Sequence, residues 1–142
     1  QIVLSGKIQD LEKLSEILKR DKIKNIKLPV SAPFHCSLMN KATSIMSDEL
    51  SKLKFKKGSN VLISNVTADE ISNADELKDL LTKQIENRVR WRESVINMIN
   101  NKVNHFIEIG PGKVLSGLVK RINKEVTVNS INNTEDIKNI KI

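Results

Sequence analysis

The chain has 142 residues, 39% of them hydrophobic and 29% charged, with a formal net charge of +7. That length suits one ordinary domain or a piece of a larger one, and the composition excludes a disordered chain. Aromatic residues make up only 3%, tyrosine is absent and lysine outnumbers arginine 19 to 5, so neither a stacking platform nor an arginine fork for nucleic acid is evident.

An acidic protein partner fits the positive charge better than nucleic acid does. No apolar run reaches the ~18 residues of a membrane span, and no signal peptide is visible. Cys36 is the single cysteine, which removes a disulfide framework or a CxxC metal signature. A cytoplasmic protein is expected. The chain opens without a methionine and reads as an excerpt that starts mid-protein.

In chain order, Ile2, Val3 and Leu4 before Ser5-Gly6 predict a short buried strand and turn. Leu11, Leu14, Ile17 and Leu18 recur at helical spacing, and Lys19-Arg20 suits a helix C-terminus. Ile26, Leu28 and Val30 alternate as in a strand, and an SAPFH loop follows. Met39, Ala42, Met46, Glu49 and Leu53 trace a second helix, with Gly58 closing that region. Asn60 to Val66 is strand-like and leads into a Thr-Ala-Asp-Glu loop. A helix from about Asn73, its N-cap, to Gln84 is followed by another from Trp91 to Ile99. Phe106, Ile107 and Ile109 make a strand that stops at Gly110-Pro111-Gly112. A helix over Val114 to Ile122, a strand from Val126 to Ile131 and a weak helix in the polar tail complete the pattern. Strands alternating with helices predict an α/β fold.

Motif searches mostly fail. Leu115 stands where a dinucleotide-binding loop needs its third glycine, and no GxxxxGK[ST] or GxSxG occurs. Two histidines and one cysteine cannot build a usual zinc site. The histidine in LPVSAPFHCSLM, residues 28–39, is the residue that stands out. Inside an almost wholly apolar loop, His35 is either a packed loop anchor or a base shielded from water. The residues alone leave both open, and no nucleophile for such a base is obvious in the chain.

Four stretches in order, LPVSAPFHCSLM, ISNVTA at 63–68, KQIENRVRW at 83–91 and FIEIGPGKVLSGLVKRI at 106–122, resemble malonyl-CoA:acyl carrier protein transacylases. The resemblance covers nearly the whole chain and places it in the C-terminal half of that family's sequence. It implies the C-terminal part of an α/β-hydrolase-like acyltransferase domain, residues 31–142. Residues 1–30 would end an inserted ferredoxin-like subdomain, with the boundary just before His35 at an interdomain cleft, where ligand sites tend to lie.

The implied activity is transfer of malonyl from malonyl-CoA to the phosphopantetheine thiol of acyl carrier protein, in fatty acid biosynthesis, without a metal or redox cofactor. By resemblance His35 is the general base, and Gln84 is the residue whose backbone carbonyl orients it. Phe34 would fill the space an α-methyl group needs, a preference for malonyl worth ~1–3 kcal/mol. The serine nucleophile, in a GHSxG elbow, and the carboxylate-binding arginine would lie in the N-terminal half, so the isolated fragment should be inactive and poorly stable. The family commonly has proline where Arg88 stands in Asn87-Arg88-Val89, which frees the backbone near Gln84. The rival readings are an acyltransferase domain of a polyketide synthase and a non-catalytic module that binds a carrier protein.

Other candidates read as structural. His105 is a strand-entry or surface residue, and Cys36, next to His35 in an extended segment, would point away from it. Gly110-Pro111-Gly112-Lys113 could offer backbone amides to an anion, but a strand-turn-helix needs glycines anyway. Arg88 and Arg92 would share a helical face, either solvated or docking an acidic carrier. Trp91 is expected in the core.

Overall fold

The computed structural model describes residues 2–56 and 58–140. The chain divides into two compact units, one up to Val89 and one from Arg90 onward.

In the first unit, α1 (Ile8–Arg20) follows the predicted period, with Leu11, Leu14 and Leu18 half-buried and Lys19 and Arg20 in its last turn. It ends in a paired-bond C-cap: the Ile23 amide donates to the Leu18 carbonyl at 2.8 Å and the Lys22 amide to the Lys19 carbonyl at 3.0 Å. Such a cap needs a left-handed residue, usually glycine, and here Lys22 takes that conformation at φ 57°. A single turn of 3-10 helix, Ser37–Met39, leads into α2 (Asn40–Ser51), which packs against α3 (Ala74–Gln84). Asn73 is the N-cap of α3, its side-chain oxygen accepting from the Asp75 and Glu76 amides at 3.1 and 2.9 Å. Leu80 is the buried residue of α3. Lys78 of the same helix lies 5.5 Å from the Phe55 ring centre, so the chain leaving α2 runs back alongside α3.

The second unit holds α4 (Trp91–Asn100), β1 (His105–Ile109), α5 (Val114–Ile122), β2 (Thr127–Ile131) and α6 (Thr134–Asn139). The two strands pair in parallel from His105 beside Thr127 to Ile109 beside Ile131, with α5 as the crossover. Parallel neighbours need such a crossover, because a tight turn can join only antiparallel strands. Val95, Val119 and Val126 form the buried core, with Trp91, Met98, Ile99, Phe106, Ile122 and Val128 packed around them. Trp91 therefore lies where its apolar bulk predicts. Its indole N–H is buried with no hydrogen-bond partner among the described residues.

Three expected strands are not formed. Residues 2–4 and 26–30 are irregular and exposed, Ile2 at 87%. Over 60–66 there is one antiparallel bridge, Ile63 to Glu70, inside a compact loop. A strand is a pairing relationship, and among the described residues no ladder partner lies beside the first two segments. The third turns back on itself instead. Ser64 is buried and its hydroxyl accepts from the Val66 amide at 3.1 Å, while buried Ala68 sits at φ 65°. The helices expected from periodicity all form; those expected over 73–84, 91–99 and 114–122 lie within a residue of their expected ends, and the first begins three residues before Leu11.

Candidate active site

The loop after Val30 enters the site through Pro33, which fixes its own φ and biases Ala32 away from helix. Phe34 and His35 then make a turn, and His35 adopts φ 62°. For a residue with a Cβ the left-handed region costs about 1–2 kcal/mol, although histidine enters it more readily than most. The segment is thus turned at His35, not extended as expected. The Cys36 thiol donates back to the Pro33 carbonyl at 3.2 Å.

What holds His35 in that conformation is the end of α3. The last carbonyls of a helix have no partner within it. Here two of the exposed carbonyls beyond that ladder are met by one residue. The His35 amide donates to the Ile85 carbonyl at 3.1 Å, and the ring nitrogen Nδ1 lies 2.9 Å from the Gln84 carbonyl oxygen. The Gln84 side-chain amide also approaches Nδ1, at 3.3 Å. A third contact, from Asn40 Nδ2 to Glu86 Oε1 at 3.4 Å, ties the start of α2 to the same turn. Because a carbonyl only accepts, the short contact to Gln84 is favourable when Nδ1 carries the proton. That leaves Nε2 as the basic nitrogen.

His35 is exposed, and its Nε2 has no hydrogen-bond partner among the described residues. The apolar neighbours that suggested a shielded ring do not close over it within this unit. Phe34 beside it is 47% exposed. The structure therefore brings His35 and Gln84 together and leaves the Phe34 ring open on the same loop. Among the described residues, no group of three or more His, Cys, Asp or Glu side chains is placed to hold a metal ion.

The Gly110-Pro111-Gly112 loop answers its own question. Gly110 and Gly112 take φ values of 140° and 98°. Only glycine adopts these without strain. The free amides opening α5 face a carboxylate of the chain itself. Glu108 accepts from the Leu115 amide at 3.1 Å and from the Ser116 amide at 2.7 Å. The Ser116 hydroxyl, the Ser116 amide and the Leu115 amide together lower the Glu108 pKa from its ordinary value, against a smaller opposing effect of burial. An internal anion thus occupies the helix N-terminus. Nothing in the sequence pattern singled out Glu108, which reads as one polar residue in an apolar strand.

Arg88 precedes the start of α4 at Trp91 and lies in the first unit, while Arg92 lies in the helix of the second. The shared helical face expected for them is not formed, because the helix begins after Arg90. His105 Nε2 pairs with Asn129 Oδ1 on the neighbouring strand at 2.6 Å, in keeping with strand entry.

The class to which this α/β chain is similar is that of the acyl-transferring enzymes. No family model matches the chain. Known proteins do: the malonyl CoA-acyl carrier protein transacylase of Bacillus subtilis is 40% identical over 138 residues, 96% of this chain and 44% of that protein. A crystal structure of malonyl CoA-acyl carrier protein transacylase from Clostridium perfringens superposes with a TM-score of 0.87 at 41% identity, covering 94% of this chain and 42% of that one. A third, with a TM-score of 0.87 at 30% identity over 94% of this chain and 43% of that one, is a holo type II PKS acyl-carrier protein in complex with its malonyl-transacylase. This chain is a homologue of the malonyl CoA-acyl carrier protein transacylases, and it spans less than half the length of the relatives it matches. No helix among the described residues is long and apolar enough to cross a membrane.

Proposed function

We propose that this chain is the histidine-bearing part of a malonyl-CoA:acyl carrier protein transacylase of fatty acid synthesis, and that His35 is its general acid–base. The observation that carries the reading is the His35 Nδ1 contact with the Gln84 carbonyl at 2.9 Å, in a chain 40% identical to a transacylase over 138 residues. The fold is read more finely as the returning part of a hydrolase-like domain, residues 31–142, after the end of a ferredoxin-like subdomain, residues 1–30.

The reaction is two transfers through a serine ester, the serine being supplied by a GHSxG elbow that this sequence does not contain. His35 Nε2 takes the serine proton as the oxygen attacks the malonyl thioester carbonyl. The carbon–sulfur bond breaks, and the histidine returns the proton to the departing coenzyme A thiolate. The same nitrogen then deprotonates the phosphopantetheine thiol of acyl carrier protein, which attacks the ester, and the serine recovers its proton. A neutral carbonyl suffices in place of a triad carboxylate because orienting the imidazole is most of the task. Phe34 narrows the space beside the malonyl α-carbon. No metal or redox cofactor takes part, and the 142-residue chain alone is inactive.

Partnership with an acyl carrier protein is supported by the relatives' names and by the solved carrier complex. Its acidic surface would meet a chain of net charge +7. A cytoplasmic location accords with that substrate pair.

The test is intact mass of the full-length protein after incubation with malonyl-CoA, beside its His35→Ala variant. One malonyl adduct is expected, forming about 10²–10⁴-fold more slowly in the variant. A folded protein with no adduct would instead favour the carrier-binding module.

A further inference from the structure

Two groups of one residue converge on a single ring nitrogen. The Gln84 carbonyl oxygen is 2.9 Å from His35 Nδ1, and the Gln84 side-chain amide is 3.3 Å from the same atom. Nδ1 has one in-plane site, which holds either a proton or a lone pair. With the proton there, the main-chain carbonyl accepts it, and an amide NH2 beside it would set donor against donor. With the lone pair there, the NH2 could donate, but the carbonyl oxygen would face that lone pair at the shorter distance. A half-turn of the amide about its terminal bond exchanges oxygen for nitrogen and removes the conflict in the first case.

We infer that the Gln84 side chain selects the His35 tautomer, presenting Oε1 to Nδ1–H alongside its own main-chain carbonyl. The ring then carries its proton on Nδ1 and keeps Nε2 free, against the usual preference of a histidine side chain for the Nε2–H form. Gln84 is in this sense a positioning residue acting from both its backbone and its side chain. The turn that carries it is fixed independently, by the His35 amide on Ile85 and by Asn40 on Glu86. The main chain that carries the amide is therefore held near the ring whether or not the amide bonds to it.

The inference bears on the acid–base reading of His35 only in its consequence. Its test is read without turnover, so the failure of one leaves the other standing. The sequence holds two histidines. Ring-nitrogen NMR on the full-length protein labelled at histidine, with His35 assigned by the signals lost in His35→Ala, reads its ring directly, and His105, whose Nε2 is tied to Asn129, serves as the internal reference. At a pH where both rings are neutral, His35 should be mainly Nδ1–H. In Gln84→Met, which keeps the main-chain carbonyl and loses the amide, the ratio of Nδ1–H to Nε2–H should fall about 3–10-fold, the effect of one hydrogen bond. In Gln84→Glu, where only oxygen can face the ring, the Nδ1–H form should be held or increased. An unchanged ratio in a folded Gln84→Met would overturn the inference, since the carbonyl alone would then suffice. Should that variant lose its fold, seen as collapse of the His105 signals, Gln84→Glu decides. A ratio held or raised supports the selector, and a drift to the free-imidazole mixture overturns it.

Discussion

Glu108 holds Ser116 at the start of α5, its carboxylate accepting from the Ser116 backbone amide at 2.7 Å. The Ser116 hydroxyl lies 2.8 Å from that of Ser130 on the neighbouring strand, and either oxygen can donate. Strand β2, helix α5 and strand β1 are thus linked through Ser116, with a carboxylate at the β1 end.

The charge makes this linkage acid-sensitive. The folded-state pKa of Glu108 lies below the ordinary value of 4.5, so its stabilising contribution is present above that value and is lost as pH falls through the lowered one. Denaturation midpoints of the protein and of Glu108→Gln, compared from pH 7 to pH 3, should differ most at neutral pH and converge in acid. A gap that widens in acid would contradict the sign.

The core prediction concerns Val95, which is fully buried at 0% exposure. Val95→Ala removes two methyl groups and leaves a small void, and should cost about 2 kcal/mol in urea unfolding. Ile109→Ala, at an 80% exposed position of β1, should cost less than half of that.

Two glycines should respond oppositely to alanine. A Cβ at either Gly112 or Gly117 meets nothing within 4 Å, so backbone conformation alone decides. At Gly112, where φ is 98°, alanine should destabilise by about 1–2 kcal/mol. At Gly117, inside α5, it should stabilise by about 0.5–1 kcal/mol. Thermal midpoints of the two variants, moving in opposite directions, are the expected outcome.

Phe34→Ala tests the proposed steric filter. In the full-length protein it should raise the rate of methylmalonyl relative to malonyl adduct formation by about 10–100-fold. A ratio that does not move would remove Phe34 from the substrate site.

Helix periodicity was readable throughout, because each helix carries its own hydrogen bonds and needs only one apolar face. Asn73 announced α3 for the same local reason: an N-cap acts within three residues. The β1–α5–β2 unit was also legible, being two apolar runs joined by an amphipathic one. Residues 2–4, 26–30 and 60–66 were not, since alternation says that a strand is possible and cannot say what pairs with it. Likewise the site lay beyond periodicity. His35 and Gln84 are 49 positions apart, and it was their match to a family's motifs that put them together. The left-handed turn at His35 and the grip of Glu108 on α5 carry no signature in residue order at all.

The meeting of His35 with the end of α3 has a dynamic consequence. The carbonyls that align the imidazole are also the ones that terminate a helix, so fraying of that helix and misalignment of the ring are a single event. The exchange rate of the His35 amide proton with solvent deuterium therefore serves as a clock for how often the ring is released. Substitutions in the last turn of α3, none of them touching a substrate, would reset it.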